Sequence, residues 1–221
     1  MKFSRRKVLG LVAGGAIAGV MGVRNLLAAE GKAVNLPKPS GGKEGSLQYA
    51  LQHRKSSRSF AETPLSEQQL SDLLWAACGV NRPESGKRTA PSAWNKKEID
   101  LYVITASGLF VYDPDAHSLN QVVTGDYRKI AGTQGYVKHA PVNIVYVSNY
   151  SKMKKMPDEE KAMLTAANAG FIGQNVYLFC AVNGLVTVMR DLIKREKLAE
   201  AMDLKADQKI VLAQSVGYPK K

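Results

Sequence analysis

Residues 65–79, LSEQQLSDLLWAACG, show the clearest pattern of apolar and polar positions in the chain. Their apolar members recur at the spacing of one helical face, and these are Leu70, Leu73, Leu74 and Ala77. Ser66 followed by Gln69 is the pattern of a capping box, and Gly79 is typical of a residue that ends a helix. The segment therefore predicts an amphipathic helix with one face in a core.

Three further helices are predicted, a short one near 46–53, a long one over 158–183 and a charged one over 190–202. The long helix begins with three acids, which the helix dipole stabilises at that end. From residue 165 onward it is small or apolar on several faces, so we expect it to be buried on several sides, in part against a second subunit.

Runs of β-branched and aromatic residues predict five strands, which are 99–105, 109–113, 117–123, 142–148 and 209–218. The segment 81–97 has the composition of a loop, and the chain contains no internal repeat. Because helices and strands mix without strict alternation, the order of elements favours an α+β fold, with one mixed sheet and helices packed on it.

The N-terminal residues have the features of an export signal. SRRKVLG, residues 4–10, carries two adjacent arginines and resembles the signal of the twin-arginine route, which exports folded proteins to the periplasm. The uncharged stretch from Val8 to Val23 is shorter than the roughly 20 residues that a spanning helix needs. Small residues near Ala29 fit a cleavage site. A retained membrane tether is the alternative interpretation.

This interpretation divides the chain into a signal at 1–29, a flexible arm rich in Gly, Pro and Lys at 30–45 and a folded domain at 46–221. The whole chain carries 31 bases, 19 acids and a net charge of +12. Because the signal contains five of the bases and none of the acids, much of this charge belongs to targeting. The other lysines are scattered, which gives no support to a nucleic-acid partner.

The cysteines and histidines predict neither a disulfide framework nor a metal site. Cys78 and Cys180 lie in apolar helical segments, so both are expected to be buried thiols. An oxidising compartment would permit a bridge between them, but the sequence gives no sign of one. His53, His117 and His139 stand alone, without the spacing of metal ligands.

The segment HRKSSRSF, residues 53–60, is the first cluster with a clear chemical use. In an extended segment, alternation places Arg54, Ser56 and Arg58 on one side. Two guanidinium groups beside a hydroxyl suit an anion with several acceptor atoms, such as a phosphate or the pyrimidine edge of a flavin. A solvated basic loop is the alternative interpretation of the same residues.

Four stretches of this chain, in order, resemble the nitroreductase superfamily of FMN-dependent oxidoreductases. They are RKSSRSF with the helix after it, RTAPSAWN (88–95), NAGFIGQNVYLFCAVNGL (168–185) and VGYP (216–219). They are similar to the family's R-x-S-x-R-x-[FY] motif, its R-T-x-P-S-A-G loop, its central helix and its last strand. The Pro-Ser-Ala triplet is most similar to the peptide-azoline dehydrogenase branch.

The resemblance implies an α+β fold that forms an intertwined homodimer with two FMN sites at the interface. It implies that Arg54, Ser56 and Arg58 hold the ribityl-phosphate and pyrimidine side of FMN. It further implies that the partner subunit lines the flavin with one triplet, which is Pro91, Ser92 and Ala93.

The same resemblance assigns roles near the C-terminus. The stretch 184–191, which includes Met189 and Arg190, would pass the flavin N5, and Lys220 or Lys221 would neutralise the phosphate. This chain departs from the family by having Trp94 where the azoline branch has glycine, and by having Met189-Arg190-Asp191 where a glycine is common. Trp94 is expected to stack on the flavin, to narrow the pocket or to be a surface aromatic. Charged side chains at 190 and 191 would select a different substrate.

The implied activity is a two-electron, ping-pong transfer through flavin N5 to a small substrate, with no catalytic acid or base supplied by the protein. An enzyme outside the cytoplasm would draw electrons from a quinol or a redox partner protein instead of NAD(P)H. Two alternatives are a non-catalytic flavin- or anion-binding protein of the same fold and an envelope protein that binds anionic lipid.

Overall fold

The computed structural model describes residues 36–220, and the chain from Ser40 onward forms one compact unit. Within the described residues there are four α-helices, α1 (Leu47–His53), α2 (Glu67–Cys78), α3 (Asp158–Val182) and α4 (Arg195–Ala201). There are eight strands, β1 (Val80–Arg82), β2 (Lys87–Arg88), β3 (Ile99–Ile104), β4 (Gly108–Asp113), β5 (Ser118–Thr124), β6 (Val142–Asn149), β7 (Val186–Arg190) and β8 (Gln208–Gly217). The proposed signal and residues 30–35 lie outside this range.

The predicted capping box is present at the start of α2. The Gln69 N–H donates to Ser66 Oγ at 3.2 Å, and the Ser66 N–H donates to Gln69 Oε1 at the same distance. Both N–H groups would otherwise lack a partner in the first turn. Gly79 ends the helix as predicted, with its N–H bonded to the Trp75 carbonyl at 2.8 Å.

A six-stranded sheet in the order β5-β4-β3-β6-β8-β7 forms the centre of the domain, and β1 pairs separately with β2. All five pairings in this sheet are antiparallel, which corrects the prediction that the sheet itself is mixed. Among residues 36–220, the one parallel pairing is an isolated bridge between Ser56 and Thr187. The predicted α+β class is confirmed.

Both faces of the sheet are covered because successive side chains of each central strand point to opposite sides. On β3, Leu101 and Val103 join a core that α2 and α3 complete. Tyr102 and Ile104 lie on the other face, in a core completed by residues from α4 and from the loops before β6. The sheet therefore separates two apolar layers, and residues at its β7 edge are held from both sides.

The region 184–202 differs from the prediction of a helix that starts at residue 190. Residues 186–190 are extended and form β7, whose register with β8 runs from Val186 opposite Gly217 to Arg190 opposite Ala213. Because this pairing holds the backbone extended through Arg190, α4 cannot start before the sheet edge is cleared, and it begins at Arg195.

Helix α3 spans 25 residues and packs against α1 and α2. It buries Ala169, Ile172 and Val176 in the core, while Phe171 is 48% exposed. On α2, Trp75 is 46% exposed. No helix among residues 36–220 is long and apolar enough to cross a membrane.

Candidate functional site

The segment 53–60, called the clamp segment from here on because its residues Arg54, Ser56 and Arg58 are expected to hold the cofactor, is fixed along the outer edge of β7. Arg54 caps α1, with its N–H bonded to the Ala50 carbonyl at 2.8 Å. The Ser57 N–H donates to the Thr187 carbonyl at 3.0 Å, next to the bridge between Ser56 and Thr187. The predicted extended conformation is present, and the backbone of β7 holds it in place.

Tyr177, on α3, contacts three residues that the sequence assigned to the cofactor. Its hydroxyl lies 2.8 Å from Ser56 Oγ and accepts the N–H of Met189 at 2.9 Å. The Arg54 guanidinium lies over the Tyr177 ring, with its central carbon 4.9 Å from the ring centroid. The structure thus brings Arg54, Ser56 and Met189 together around one side chain.

Arg54 has a hydrogen-bond donor that the fold does not use. Its Nε is buried and has no hydrogen-bond partner among the described residues. A buried donor without a partner costs about 1–3 kcal/mol, so an oxygen-rich ligand at this place would relieve a cost that the folded protein otherwise carries.

Arg58 lies apart from this group and lines a neighbouring pocket with Lys220. The pocket forms because the chain end runs beside the clamp segment, with Phe60 bridged to Pro219 and the Ala61 N–H bonded to the Tyr218 carbonyl at 2.9 Å. Both cations are exposed. None of the ion pairs formed among residues 36–220 involves Arg58 or Lys220.

The acid in this pocket, Glu62, is paired with a neighbour. The carboxylate of Glu62 lies 2.6 Å from Nδ1 of His139, and both side chains line the pocket. Tyr136 forms part of the wall, packed against Phe60 with ring centroids 6.0 Å apart. Because two cations, Arg58 and Lys220, face the single acid Glu62 in its lining, the pocket presents an excess of positive charge to a ligand.

The Pro91-Ser92-Ala93 loop lies elsewhere, between β2 and β3. Pro91 and Ser92 line a small pocket against Asn168 and Ile172 of α3. Ser92 Oγ accepts the N–H of Lys97 at 3.0 Å, which closes the loop on itself. The pocket that Pro91 and Ser92 line is therefore a different one from the pocket that Arg58 lines.

Trp94 stands out from this loop, 67% exposed, with a left-handed backbone at φ 48°. Asn95 and Lys97 are also left-handed, at φ 53° and 50°. Each such residue carries steric strain that its surroundings must overcome. The indole is therefore presented outward, and of the three predicted roles the single chain shows the surface position.

Arg190 contradicts the expectation of a charged side chain at the substrate face. Its side chain is buried and donates to Ser215 Oγ at 3.2 Å, to Asn143 Oδ1 at 2.9 Å and to the Ala131 carbonyl. The reason is the pleat of β7, which turns Arg190 toward the sheet interior, beside β8 and β6. Asp191 is exposed and pairs with Arg195 of α4.

Burial also sets the ionisation of several groups near the site. Desolvation lowers the pKa of Arg190 to about 10, because the charged form loses water without gaining a carboxylate. Desolvation raises the pKa of the Cys78 thiol to about 12. Cys78 and Cys180 are both buried and unbridged, as predicted from their apolar context.

Tyr177, Tyr136, Glu62 and His139 are candidate site residues that the sequence interpretation did not select. Tyr177 sits two positions after the Gln-Asn pair of the central helix, so its place in that motif was the available signal. Its contact with Ser56 spans 121 positions of the chain, and that of His139 with Glu62 spans 77. No local pattern encodes contacts at such separations.

Comparison with known proteins identifies the family. The Nitroreductase family model matches residues 51–218, most of the chain, and this protein belongs to that family of oxidoreductases. A crystal structure from Ralstonia eutropha JMP134, described as a nitroreductase, is 41% identical, covers 84% of this chain and 89% of that one, and superposes with a TM-score of 0.77.

Two further relatives extend the comparison. MJ1384 of Methanocaldococcus jannaschii, named as a nitroreductase, is 28% identical over 169 residues, which are 72% of this chain and 85% of that protein. The microcin synthetase McbBCD complex of Escherichia coli contains a chain 18% identical, with a TM-score of 0.66 and coverage of 96% of this chain and 85% of that one. This last likeness concerns the fold alone. The nitroreductase-like fold expected from the motifs is confirmed.

Proposed function

We propose that this protein is an exported FMN-dependent oxidoreductase that transfers two electrons, in ping-pong order, to a small quinone-, nitro- or enone-like substrate. Flavin is the cofactor typical of its family. The observation that carries the proposal is the convergence of Arg54, Ser56 and Met189 on Tyr177, with a buried Arg54 donor that lacks an acceptor.

The residues of this chain fit a phosphorylated flavin. In the proposed site, Arg54 and Ser56 hold the cofactor. Arg58 and Lys220 neutralise its anionic groups, as guanidinium and ammonium groups do for phosphates and carboxylates. Bound FMN would supply two-electron transfer through its N5 atom. The positive groups would favour the anionic reduced form electrostatically.

The backbone near Met189 has a narrower role than the motif implied. The Met189 N–H already donates to the Tyr177 hydroxyl. The Met189 side chain lies against α3, where its Cε fills the space that a β-carbon at Gly173 would need. In the proposal Met189 contributes shape beside the cofactor. Arg190 contributes only rigidity to β7, and its charged group is assigned no contact with a ligand.

The remaining part of the proposed site comes from a second copy of the chain. Pro91, Ser92 and Ala93 lie on a loop away from Arg54, so a homodimer would bring the partner's loop to the flavin. The supporting observation is that α1, α2 and α3 expose four large apolar side chains in the single chain, which are Leu47, Leu51, Trp75 and Phe171. Light scattering should give twice the monomer mass, and Phe171→Asp should lower that mass. A flavin-loaded monomer would contradict the dimer.

We further propose export by the twin-arginine route, with a quinol or redox protein as electron donor, and membership of the azoline-dehydrogenase-like branch. A tightly held cofactor must be inserted before export, and this route carries folded cargo. Replacing Arg5 and Arg6 by lysine should leave the precursor in the cytoplasm with its flavin bound. Normal delivery of that variant to the periplasm would refute the route.

The cofactor itself is tested on the purified protein. The absorption spectrum should show an oxidised flavin, and chromatography of the heat-released material should identify FMN. FAD is not expected, because the chain lacks a Gly-rich dinucleotide fingerprint. Anaerobic bleaching by a donor and recovery with a quinone would support the oxidoreductase, whereas a bound flavin that never bleaches would favour the non-catalytic alternative. A colourless protein that cannot be reconstituted would refute the flavin assignment.

A further inference from the structure

We infer that Tyr177 is the positioning residue of the cofactor clamp, which joins Arg54, Ser56 and Met189 into one unit through a single side chain. This inference rests on the proposed function for the identity of the ligand. No motif assigned a role to Tyr177, and it reaches all three groups from a different element, α3.

The hydroxyl of Tyr177 connects two adjacent segments, the one that carries Ser56 and strand β7, which run parallel where Ser56 is bridged to Thr187. It accepts the Met189 N–H at 2.9 Å, on the outer edge of β7, and lies 2.8 Å from Ser56 Oγ on the clamp segment. Since either of the two hydroxyls can donate to the other, the chain of contacts is complete without water. A phenylalanine at this position would leave both neighbours without that partner.

The ring of Tyr177 acts on the third group. The Arg54 guanidinium lies 4.9 Å from the ring centroid, a distance at which the negative face of the ring attracts the cation. This attraction fixes the charge without the use of a hydrogen-bond acceptor. Arg54 Nε is buried and unpaired, and none of the guanidinium nitrogens donates a hydrogen bond within residues 36–220, so the group is held in place by the ring while the fold uses none of its donors.

The burial of Tyr177 makes it suited to this task. The side chain is half-buried, and its hydroxyl is held by two partners, Ser56 Oγ and the Met189 N–H. A group held in this way limits the freedom that Arg54 and Ser56 would otherwise lose on binding a ligand, and preorganisation of this kind raises affinity.

The test compares two variants with a matched control. Tyr177→Phe removes the hydroxyl and keeps the ring, whereas Tyr177→Leu removes both. Tyr112→Phe is the control, since it deletes another hydrogen-bonded hydroxyl, 2.7 Å from His117, on the opposite part of the sheet. Titration of flavin-stripped protein with FMN, followed by fluorescence quenching, gives the dissociation constant of each.

Tyr177→Phe should weaken FMN binding about five- to tenfold, and Tyr177→Leu should weaken it by about tenfold more. Tyr112→Phe should stay within about twofold of the unsubstituted protein. Because Ser56 and Tyr177 act as one unit, the pair Ser56→Ala with Tyr177→Phe should bind no more weakly than the poorer single variant. Additive losses, or unchanged binding in Tyr177→Phe, would overturn the inference.

Amide hydrogen exchange separates this inference from the proposed function. In Tyr177→Phe the Met189 amide should exchange about tenfold faster, while the other amides of β7 keep their rates. If the unsubstituted protein binds no FMN, the proposed function fails, and the Met189 exchange rate still decides whether Tyr177 holds these groups. Unchanged exchange of Met189 would overturn the inference alone.

Discussion

Arg190 is the last residue of β7, and Arg54 lies on the segment that is bridged to the outer edge of the same strand. The hydrogen bonding of the two guanidinium groups is nevertheless opposite. Arg190 is buried and donates to three oxygen atoms of the protein. Arg54 is held over the ring of Tyr177, and its buried Nε has no partner among residues 36–220. The hydrogen-bond donors of Arg190 are used by the fold, whereas those of Arg54 are not.

This difference shows how a structural arginine is distinguished from one suited to a ligand. A buried cation is tolerated when hydrogen bonds replace its water, and then it has few donors left for a ligand. A cation held by a ring keeps its donors. In this fold, the number of hydrogen-bonded donors distinguishes the structural Arg190 from Arg54, whereas the sequence analysis assigned both residues to the cofactor.

The largest effect is expected from removing the guanidinium group of Arg190, whose three nitrogen atoms each donate a hydrogen bond within the protein. Arg190→Ala should lower the free energy of unfolding by about 2–4 kcal/mol, because it leaves buried acceptors without donors and opens a cavity. Thermal unfolding should shift down by about 5–15 °C. Differential scanning calorimetry of the ligand-free protein measures this shift directly.

The control for Arg190→Ala is Lys205→Ala. Lys205 pairs with Asp203 at 2.6 Å, and both side chains are mostly exposed, so the loss should be within about 1 kcal/mol. If Arg190→Ala instead kept its stability and lost flavin, Arg190 would belong to the ligand site and the contrast with Arg54 would fail.

Features set by neighbouring residues were predictable from the sequence. The capping box of Ser66 and Gln69, the long helix over 158–183 and the strand 142–148 are all found, the last as Val142–Asn149. Each depends on contacts a few residues apart, where periodicity and capping chemistry are decisive.

Features set by distant contacts were not predictable. The strand Val186–Arg190 is extended because β8 pairs with it, and the burial of Arg190 follows from Asn143 and Ser215, which are 47 and 25 positions away. The clamp segment was assigned from its alternation. The division of its residues between the Tyr177 group and the Lys220 pocket depends on how separate segments pack.

A smaller effect is expected from removing the arginines of the clamp, and it should fall on cofactor content instead of stability. Arg54→Ala should reduce FMN affinity the more, up to about a hundredfold, since a shielded charge-assisted contact contributes about 1.5–3 kcal/mol. Arg58 is exposed, so its contact is partly screened by water, and Arg58→Ala should cost about tenfold. FMN per chain after purification measures both losses.

The Arg58 variants provide the finest test of the contrast between arginines whose donors bind the protein and arginines whose donors are available to a ligand. Arg58→Ala should purify folded but partly depleted of flavin, and added FMN should restore activity. Arg58→Lys should recover part of the loss, because an ammonium group supplies the charge without the planar pair of donors. Arg82→Ala is the matched control, since Arg82 is exposed and its guanidinium already donates to the Arg88 carbonyl at 2.8 Å. Full flavin occupancy in Arg58→Ala, equal to that in Arg82→Ala, would show that Arg58 is a solvated surface residue and would remove it from the site.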